Sequence, residues 1–304
     1  MSAATLSTAE TDLVTNDKPV LIASSAMAGV SVAIWYTSAA ADITSETDQA
    51  HEDFPSTRAH DRRNHTDTRT SGSASTFYFG AVLGTTAPAF DCLAILGHNF
   101  GAIGGLTVTA EIADDATFST NLHTIATFSP SSDKRLMTFD LKHTGSDPIR
   151  YTPDGTTPNA QFFRLKITKG SAFSPKIGEI WIGRRRHLPF KLDEELDDKR
   201  TVSTYADFES VSGAIKRYVL NRGRLERSGS TVIDNAADIA TVESFWSESD
   251  EGTKAFLYCE DPGSNPEKAA LMHHQGGFEF PLIGPGVRQL GLELREAAPF
   301  VSQE

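Results

Sequence analysis

The sequence predicts a mainly β protein, with an N-terminal antiparallel jelly-roll β-sandwich and a C-terminal α+β domain in which one helix packs on an antiparallel sheet. Three observations carry that prediction. Short apolar runs recur at close intervals from residue 76 to 183, separated by Gly, Pro, Asp and Ser, which is the spacing of a sandwich. Two of the runs are long and well punctuated, residues 90–100 (FDCLAILGHNF) and 162–183 (FFRLKITKGSAFSPKIGEIWIG). Beyond residue 189 the pattern changes, and one stretch carries the 3.6-residue period of a helix.

Taken in order, residues 1–18 are small and polar and read as a flexible arm that orders against a partner. Residues 20–22 form a short apolar run. In 30–36 (VSVAIWY), Val30, Val32, Ile34 and Tyr36 share one face of a strand. Residues 44–75 then turn polar, with Arg58, Arg62, Arg63 and Arg69 interleaved with His51, His60 and His65. A loop of that length in a compact domain is usually functional or mobile. The strands expected next are 77–79, 92–96, 106–112, 124–128, 137–141, 162–168 and 177–182. Leu93, Ala94, Ile95 and Leu96 are continuously apolar, as in a strand buried on both faces. Phe163, Leu165 and Ile167 alternate with Arg164, Lys166 and Thr168, as in a half-buried antiparallel strand.

Arg184, Arg185, Arg186 and His187, then Pro189 and the acidic run 193–198, mark the boundary between a domain at 19–188 and one at 189–304. In the second domain 205–209 and 215–227 read as strands. The latter is long and carries Lys216, Arg217, Arg222, Arg224 and Arg227, so one face is wet or meets an acidic neighbour. Asp234 or Asn235 caps the helix, Asp238 stands in its first turn, and Ile239, Val242, Phe245 and Trp246 fall on one face. After Gly252 the expected strands are 255–259, 269–273, 277–281 and 287–296.

A chain of 304 residues is ample for two domains with separate cores. Its formal net charge of −12 argues against sequence-independent nucleic-acid binding, which needs clustered Lys and Arg to displace counterions. The most apolar early stretch, 19–36, is broken by Ser24, Ser25, Gly29 and Ser31, so neither a signal peptide nor membrane insertion is expected. Cys92 and Cys259 lie in apolar runs of different domains and read as buried thiols.

Motifs for chemistry are weak. Residues 97–105 (GHNFGAIGG) lack the helix that a dinucleotide fingerprint needs and read as a turn between strands. His51, His60 and His65 could hold a metal with Asp53 or Asp61, but the irregular spacing favours a solvated loop. His273 and His274 are adjacent and point to opposite faces of a strand. Asp114, Asp115 and Thr117 could offer oxygens to a cation, although calcium needs six to eight. Glu194 and Glu195 lie in a charged linker, a poor place for a glycosidase carboxylate pair. The sequon Asn64-His65-Thr66 carries no meaning without secretion. No catalytic residue, cofactor or metal is expected. Sugar recognition calls for aromatics at loop ends, and Trp35, Tyr36, Tyr78 and Tyr151 are the candidates, with packing as their alternative role.

The polar loop DRRNHTDTR (residues 61–69), FDCLAILGHNF and the pair RLKIT and IGEIWIG together resemble the discoidin-like, galactose-binding-like domains of tailed-bacteriophage structural proteins. The C-terminal order of strand, helix, strand and a final LELRE (292–296) resembles phage distal-tail and tail-tube-like proteins. That resemblance covers about residues 55–300. It implies a non-enzymatic virion component of the tail tip or baseplate, assembled in the host cytoplasm as a homo-oligomeric, hexameric ring with other tail proteins as neighbours. Arg217, Arg222, Arg224 and Arg227 are then the expected subunit-interface residues, pairing with the acidic run 193–198. The alternatives are a carbohydrate-binding module that contacts host glycan during adsorption and a capsid- or neck-associated protein.

Overall fold

The computed structural model of the chain describes residues 20–22, 31–35, 43, 48–60, 67–86, 89–129, 136–140, 160–184, 186–187, 199–200, 204–209, 215–221, 225–259, 270–275 and 279–297. In chain order the strands are β1 (Val20–Ile22), β2 (Ser31–Trp35), β3 (Thr68–Arg69), β4 (Ala74–Val82), β5 (Cys92–Leu96), β6 (Thr107–Ala113), β7 (His123–Phe128), β8 (Leu136–Asp140), β9 (Phe162–Phe173), β10 (Lys176–Ile177) and β11 (Glu179–Gly183). They continue with β12 (Arg186–His187), β13 (Lys199–Arg200), β14 (Thr204–Glu209), β15 (Ile215–Asn221), β16 (Leu225–Ile233), β17 (Phe256–Cys259), β18 (Ala270–His274), β19 (Leu282–Gly284) and β20 (Val287–Glu296). The helices are α1 (Phe100–Ile103) and α2 (Ala236–Glu248), and a 3-10 turn spans Ser56–His60.

Mainly β and antiparallel, as the apolar spacing predicts, the N-terminal part is a sandwich. A five-stranded sheet in the order β2-β4-β9-β6-β7 faces a three-stranded sheet in the order β11-β5-β8. Phe77, Phe79, Val108, Ala110, Phe163, Leu165 and Ile167 from the larger sheet meet Leu93, Ile95, Ile180 and Ile182 from the smaller. Fully burying one such large side chain stabilises the fold by roughly 1.5–3 kcal/mol. Leu93 and Ile95 face this core, while Cys92, Ala94 and Leu96 lie in a second cluster with Trp181, Ala255, Leu257 and Leu271. That explains the unbroken apolar run of β5: its outer side seats the C-terminal sheet. Cys92 and Cys259 are both buried free thiols.

The C-terminal sheet runs β12-β1-β17-β18-β20-β16-β13, with β19 added beside β20. Asn235 caps α2, its side chain accepting from Ala237 N at 2.8 Å, which satisfies one of the otherwise orphaned amides of the first turn. Val242 and Phe245 of the helix bury against Ile233, Phe256, Met272, Leu290, Leu292 and Leu294.

Several details differ from the sequence expectations. Strands β1 and β12, read as part of the 19–188 domain, belong to the C-terminal sheet: β1 pairs with β17, supplying the backbone partners that strand needs, and β12 pairs with β1. The expected long strand at 215–227 is two strands: β15 pairs with β14 in a ribbon, while β16 pairs with β20. Gly223 stands between them, a break signal. Of the strand expected at 277–281, residues 277 and 278 lie outside the described residues, and Glu279 O and Pro281 O accept from Gly291 N and Gln289 N of β20, leading into β19 directly before a Pro285-Gly286 turn; Gly286 has φ +71, the left-handed position that such a turn assigns to glycine. The turn at 97–105 contains the single helical turn α1.

Candidate functional site

Both passages of the chain between the sandwich and the C-terminal sheet leave from one end of the sandwich, where the start of β2 lies beside the end of β4 (Ser31↔Val82) and the end of β11 beside the start of β5 (Gly183↔Cys92). The opposite end is free of that junction. It gathers the segments leading into β4, the β5–β6 connection and the turn between β9 and β10.

Cross-ties hold these segments together. Strands β3 and β10 pair through Arg69↔Lys176 and Thr68↔Ile177. The Asn99 side chain accepts from Lys176 N at 2.8 Å and donates to Ser174 O at 3.2 Å, and the Thr70 and Ser174 hydroxyls are 2.8 Å apart. Asp48 organises the other side, accepting from Ile34 N at 3.0 Å, Ala50 N at 3.1 Å and Ser56 Oγ at 2.5 Å. A polar loop thereby gains a fixed shape through side chains that take over backbone donors.

On this frame sits an aromatic and cationic group. The Arg69 guanidinium lies 4.0 Å from the Phe54 ring centroid and that of Arg58 lies 5.4 Å from it, both within cation–π range. The His51 ring meets Phe54 edge-on at 5.4 Å. Asp67, only 8% exposed, receives Arg69 Nε at 2.9 Å and Lys176 Nζ at 3.0 Å on the same carboxylate oxygen. Planar guanidinium, imidazole and carboxylate groups around an aromatic ring form a hydrogen-bonding surface suited to hydroxyl-rich ligands.

Behind it, His98 is buried and stacks on Phe100 at 4.6 Å. Its Nδ1 accepts from Phe100 N at 3.2 Å, so the neutral ring carries its proton on Nε2. Burial pushes its pKa down to about 4, because the charged imidazolium is poorly solvated there.

Of the sugar-contact candidates, Tyr78 is not exposed: it is buried among Ala33, Ile43, Phe118 and Phe162, beneath the Arg164 guanidinium at 5.1 Å. Strand alternation on a sheet covered by loops on its outer face put it inside. Trp35 closes β2 opposite Tyr78, and Tyr36 and Tyr151 lie outside the described residues. Among the interface candidates, Arg227 is 4% exposed with its guanidinium 5.6 Å from the Tyr258 ring, so within this chain it is a packed residue. Arg217 pairs with Asp207 in the β14–β15 ladder, while Arg222, Arg224 and the acidic run 193–198 are outside the described residues.

No group of three or more metal-ligating side chains occurs among the described residues. His51 Nδ1 accepts from Asp53 N at 3.2 Å, and Asp61 and His65 are outside the described residues. Asp115 spends its oxygens on its own loop, accepting from Thr117 N at 2.9 Å, from Ser119 N at 3.1 Å, from the Thr117 hydroxyl and from Thr120 N. Burial tends to raise its pKa, but these donors outweigh it and hold the carboxyl well below the usual range. His273 and His274 sit on β18 opposite Arg295 and Leu294, with His274 edge-on to Trp246 at 5.2 Å.

Phe54, Asp67 and Lys176 were not singled out from sequence. The signal available was Phe54 within the polar loop, with His51 before it and Arg58 and Arg69 after it in sequence.

No family model matches the chain, and no curated protein matches it. Among solved structures it is similar to chitosan-binding module 1 of a chitosanase/glucanase from Paenibacillus sp. IK-5, at 12% identity and TM-score 0.36 over 52% of this chain and 98% of that one. It is also similar to the family 32 carbohydrate-binding module of C. perfringens NanJ in complex with galactose, at 13% identity and TM-score 0.35 over 54% and 98%. A third is the lectin binding domain of lectinolysin complexed with Lewis b, at 11% identity and TM-score 0.36 over 54% and 98%. These neighbours are binding modules that overlap about half of this chain, and likenesses so low in identity and TM-score assign it no activity. None of the three is described as a virion component.

Proposed function

We propose that this chain is a non-catalytic glycan-binding protein that contacts sugar through the free end of its sandwich. The observation that carries the reading is the convergence of His51, Phe54, Arg58, Asp67, Arg69 and Lys176 on cross-tied loops at the end of the sandwich opposite the chain crossings. Guanidinium groups held in place by the buried Asp67 and by Phe54 offer directional hydrogen bonds to ring hydroxyls without a large ordering cost. The neighbours' ligands supply the first probes: chitosan oligomers, galactose and Lewis b. Titration calorimetry of the full chain against these and a wider glycan panel tests the reading. Saturable binding that Arg58→Ala weakens at least tenfold supports it, and the absence of binding across the panel overturns it.

A second reading is a structural subunit of a bacteriophage tail, with the C-terminal domain as its assembly element. It is favoured by the exposed apolar residues Val232, Leu282 and Ile283, which all lie on the C-terminal sheet. Labelling of intact particles with an antibody to this chain tests it, and particles without the label overturn it.

A further inference from the structure

The free end of the sandwich holds more positive charge than its own carboxylates neutralise. Asp67 meets Arg69 Nε at 2.9 Å and Lys176 Nζ at 3.0 Å through one oxygen, so one negative charge answers two positive ones. Arg58 is half-buried with its guanidinium 5.4 Å from the Phe54 centroid, and among the described residues no carboxylate lies within ion-pair distance of it. The three carboxylates of residues 48–60 are engaged elsewhere or stand in water. Asp48 accepts from Ile34 N, Ala50 N and Ser56 Oγ, so it serves the frame. Glu52 and Asp53 form the tip of the turn that Phe54 N closes by donating to His51 O at 2.8 Å, and both are exposed. The Asp53 carboxylate approaches His51 at 3.9 Å and pairs with neither arginine. Charges in open water are screened, whereas a guanidinium held against a ring gives up part of its hydration and gains more from a counter-charge. The surplus is local, because the whole chain carries a formal net charge of −12.

We infer that this end of the sandwich selects acidic sugars, whose carboxylate or sulfate group takes the place of the counter-ion that Arg58 lacks. The inference rests on the sugar-binding reading above and names the class of sugar. The planar fork of a guanidinium matches two oxygens of a carboxylate or sulfate in paired, charge-assisted hydrogen bonds. Phe54 holds the Arg58 guanidinium in place without supplying an acceptor oxygen, and Asp67 is committed to Arg69 and Lys176, so a ligand anion meets no rival there. Arg69, 4.0 Å from the same ring centroid, adds a second cation on the same aromatic ring. A neutral sugar hydroxyl accepts a hydrogen bond from Arg58 but leaves its charge unanswered. Exchanging the hydroxymethyl group of a hexose for a carboxylate supplies both the acceptors and the charge, and such complementarity discriminates between otherwise identical rings.

Matched pairs of methyl glycosides that differ only at C6 test this on the full chain: galacturonide against galactoside and glucuronide against glucoside, with galactoside 6-sulfate as the sulfate arm. Binding is read by chemical-shift titration. In at least one pair the acidic member should bind about tenfold more tightly than the neutral one, and the ratio should shrink as sodium chloride rises from about 0.05 to about 0.5 M. Arg58→Gln, which removes the charge, should bring the ratio close to one. Arg58→Lys, which keeps the charge and loses the fork, should retain a preference for the acid at lower affinity. Chitosan oligomers carry protonated amines and should bind more weakly than galactose. A sulfated arm that binds while both uronides fail assigns the anion to sulfate, and the reverse assigns it to carboxylate. Neutral sugars that bind as tightly as their acidic partners, a preference that survives Arg58→Gln, or inorganic sulfate that displaces the acidic sugar at equal concentration overturns the inference. Acidic sugars that fail while the neutral panel binds overturn it and leave the sugar-site reading standing, whereas no binding by any sugar removes both.

Discussion

Arg164 on β9 and Glu111 on β6 are direct cross-strand partners, and the guanidinium Nε donates to the Glu111 carboxylate at 2.6 Å with both side chains almost out of solvent. Phe118 stacks on the guanidinium at 4.3 Å and Tyr78 at 5.1 Å, closing the outer face of the five-stranded sheet. A buried pair adds little over a well-packed apolar substitute, but breaking one partner strands the other charge. Glu111→Ala should therefore cost about 3–5 kcal/mol in urea denaturation. The double variant Glu111→Leu with Arg164→Met should recover most of that loss. A single variant that loses less than about 1 kcal/mol would show that Arg164 finds water instead.

His98 makes the fold sensitive to acid. Its pKa is about 4 in the folded chain, against about 6.5 when unfolded, because burial disfavours the charged ring. The unfolded state binds the proton more readily, so the contribution to stability is complete above pH 6.5 and is lost as pH falls toward 4. The full loss amounts to roughly 3 kcal/mol. Carboxylates titrate in the same range, so the readout is a difference. Between pH 7 and pH 4, His98→Asn should lose less stability than the parent chain, and parallel pH profiles would contradict the burial argument.

Phe163, Leu165 and Ile167 alternate in the sequence as they do on β9, and the unbroken apolar run of β5 announced a strand covered on both sides, so the sandwich was legible from burial patterns alone. What covers the outer side of β5 was not, because Ala255, Leu257 and Leu271 lie far along the chain and nothing local ties them to Ala94. For the same reason β1 looked like part of the sandwich: three apolar residues fit either sheet, and only their ladder with β17 decides. The candidate site was half visible. Arg58, Arg69 and His51 stood out as charges in a long loop, whereas Asp67 and Lys176 become neighbours only through the β3–β10 pairing. Tyr78 shows the limit of reading aromatics as exposed platforms, since its strand is covered on both faces.

Gly252 ends the α2 region in a conformation that other residues avoid, with φ +77. A Cβ there would stand 2.6 Å from the Trp246 ring and 3.0 Å from His274 Cβ. The ring is packed edge-on against His274, a contact it would give up by withdrawing. Gly252→Ala combines left-handed strain with a steric clash, so the loss should exceed the usual cost of about 1 kcal/mol for the backbone alone. A melting temperature within a degree of the parent would mean that Trp246 swings away freely. Gly286→Ala is the comparison: it has φ +71 with open space around its Cβ position, so it should show only the backbone part.

Asp67 ties two segments at this end of the sandwich, because one of its oxygens meets both Arg69 of β3 and Lys176 of β10. Asp67→Ala removes both contacts and leaves two cations facing each other across a two-residue ladder. Hydrogen bonds to charged groups contribute about 1.5–3 kcal/mol each when buried, but Arg69 and Lys176 are partly solvated and water compensates part of that. A stability loss of about 1–2 kcal/mol is expected. Amide exchange should quicken in residues 67–70 and 174–177 while β5 and β9 keep their protection. Glycan affinity should fall with the loop order, even though Asp67 is largely buried. If exchange quickens but affinity holds, the sugar contacts lie on Arg58 and His51 alone; if neither changes, the Asp67 cross-tie does not organise this end of the sandwich.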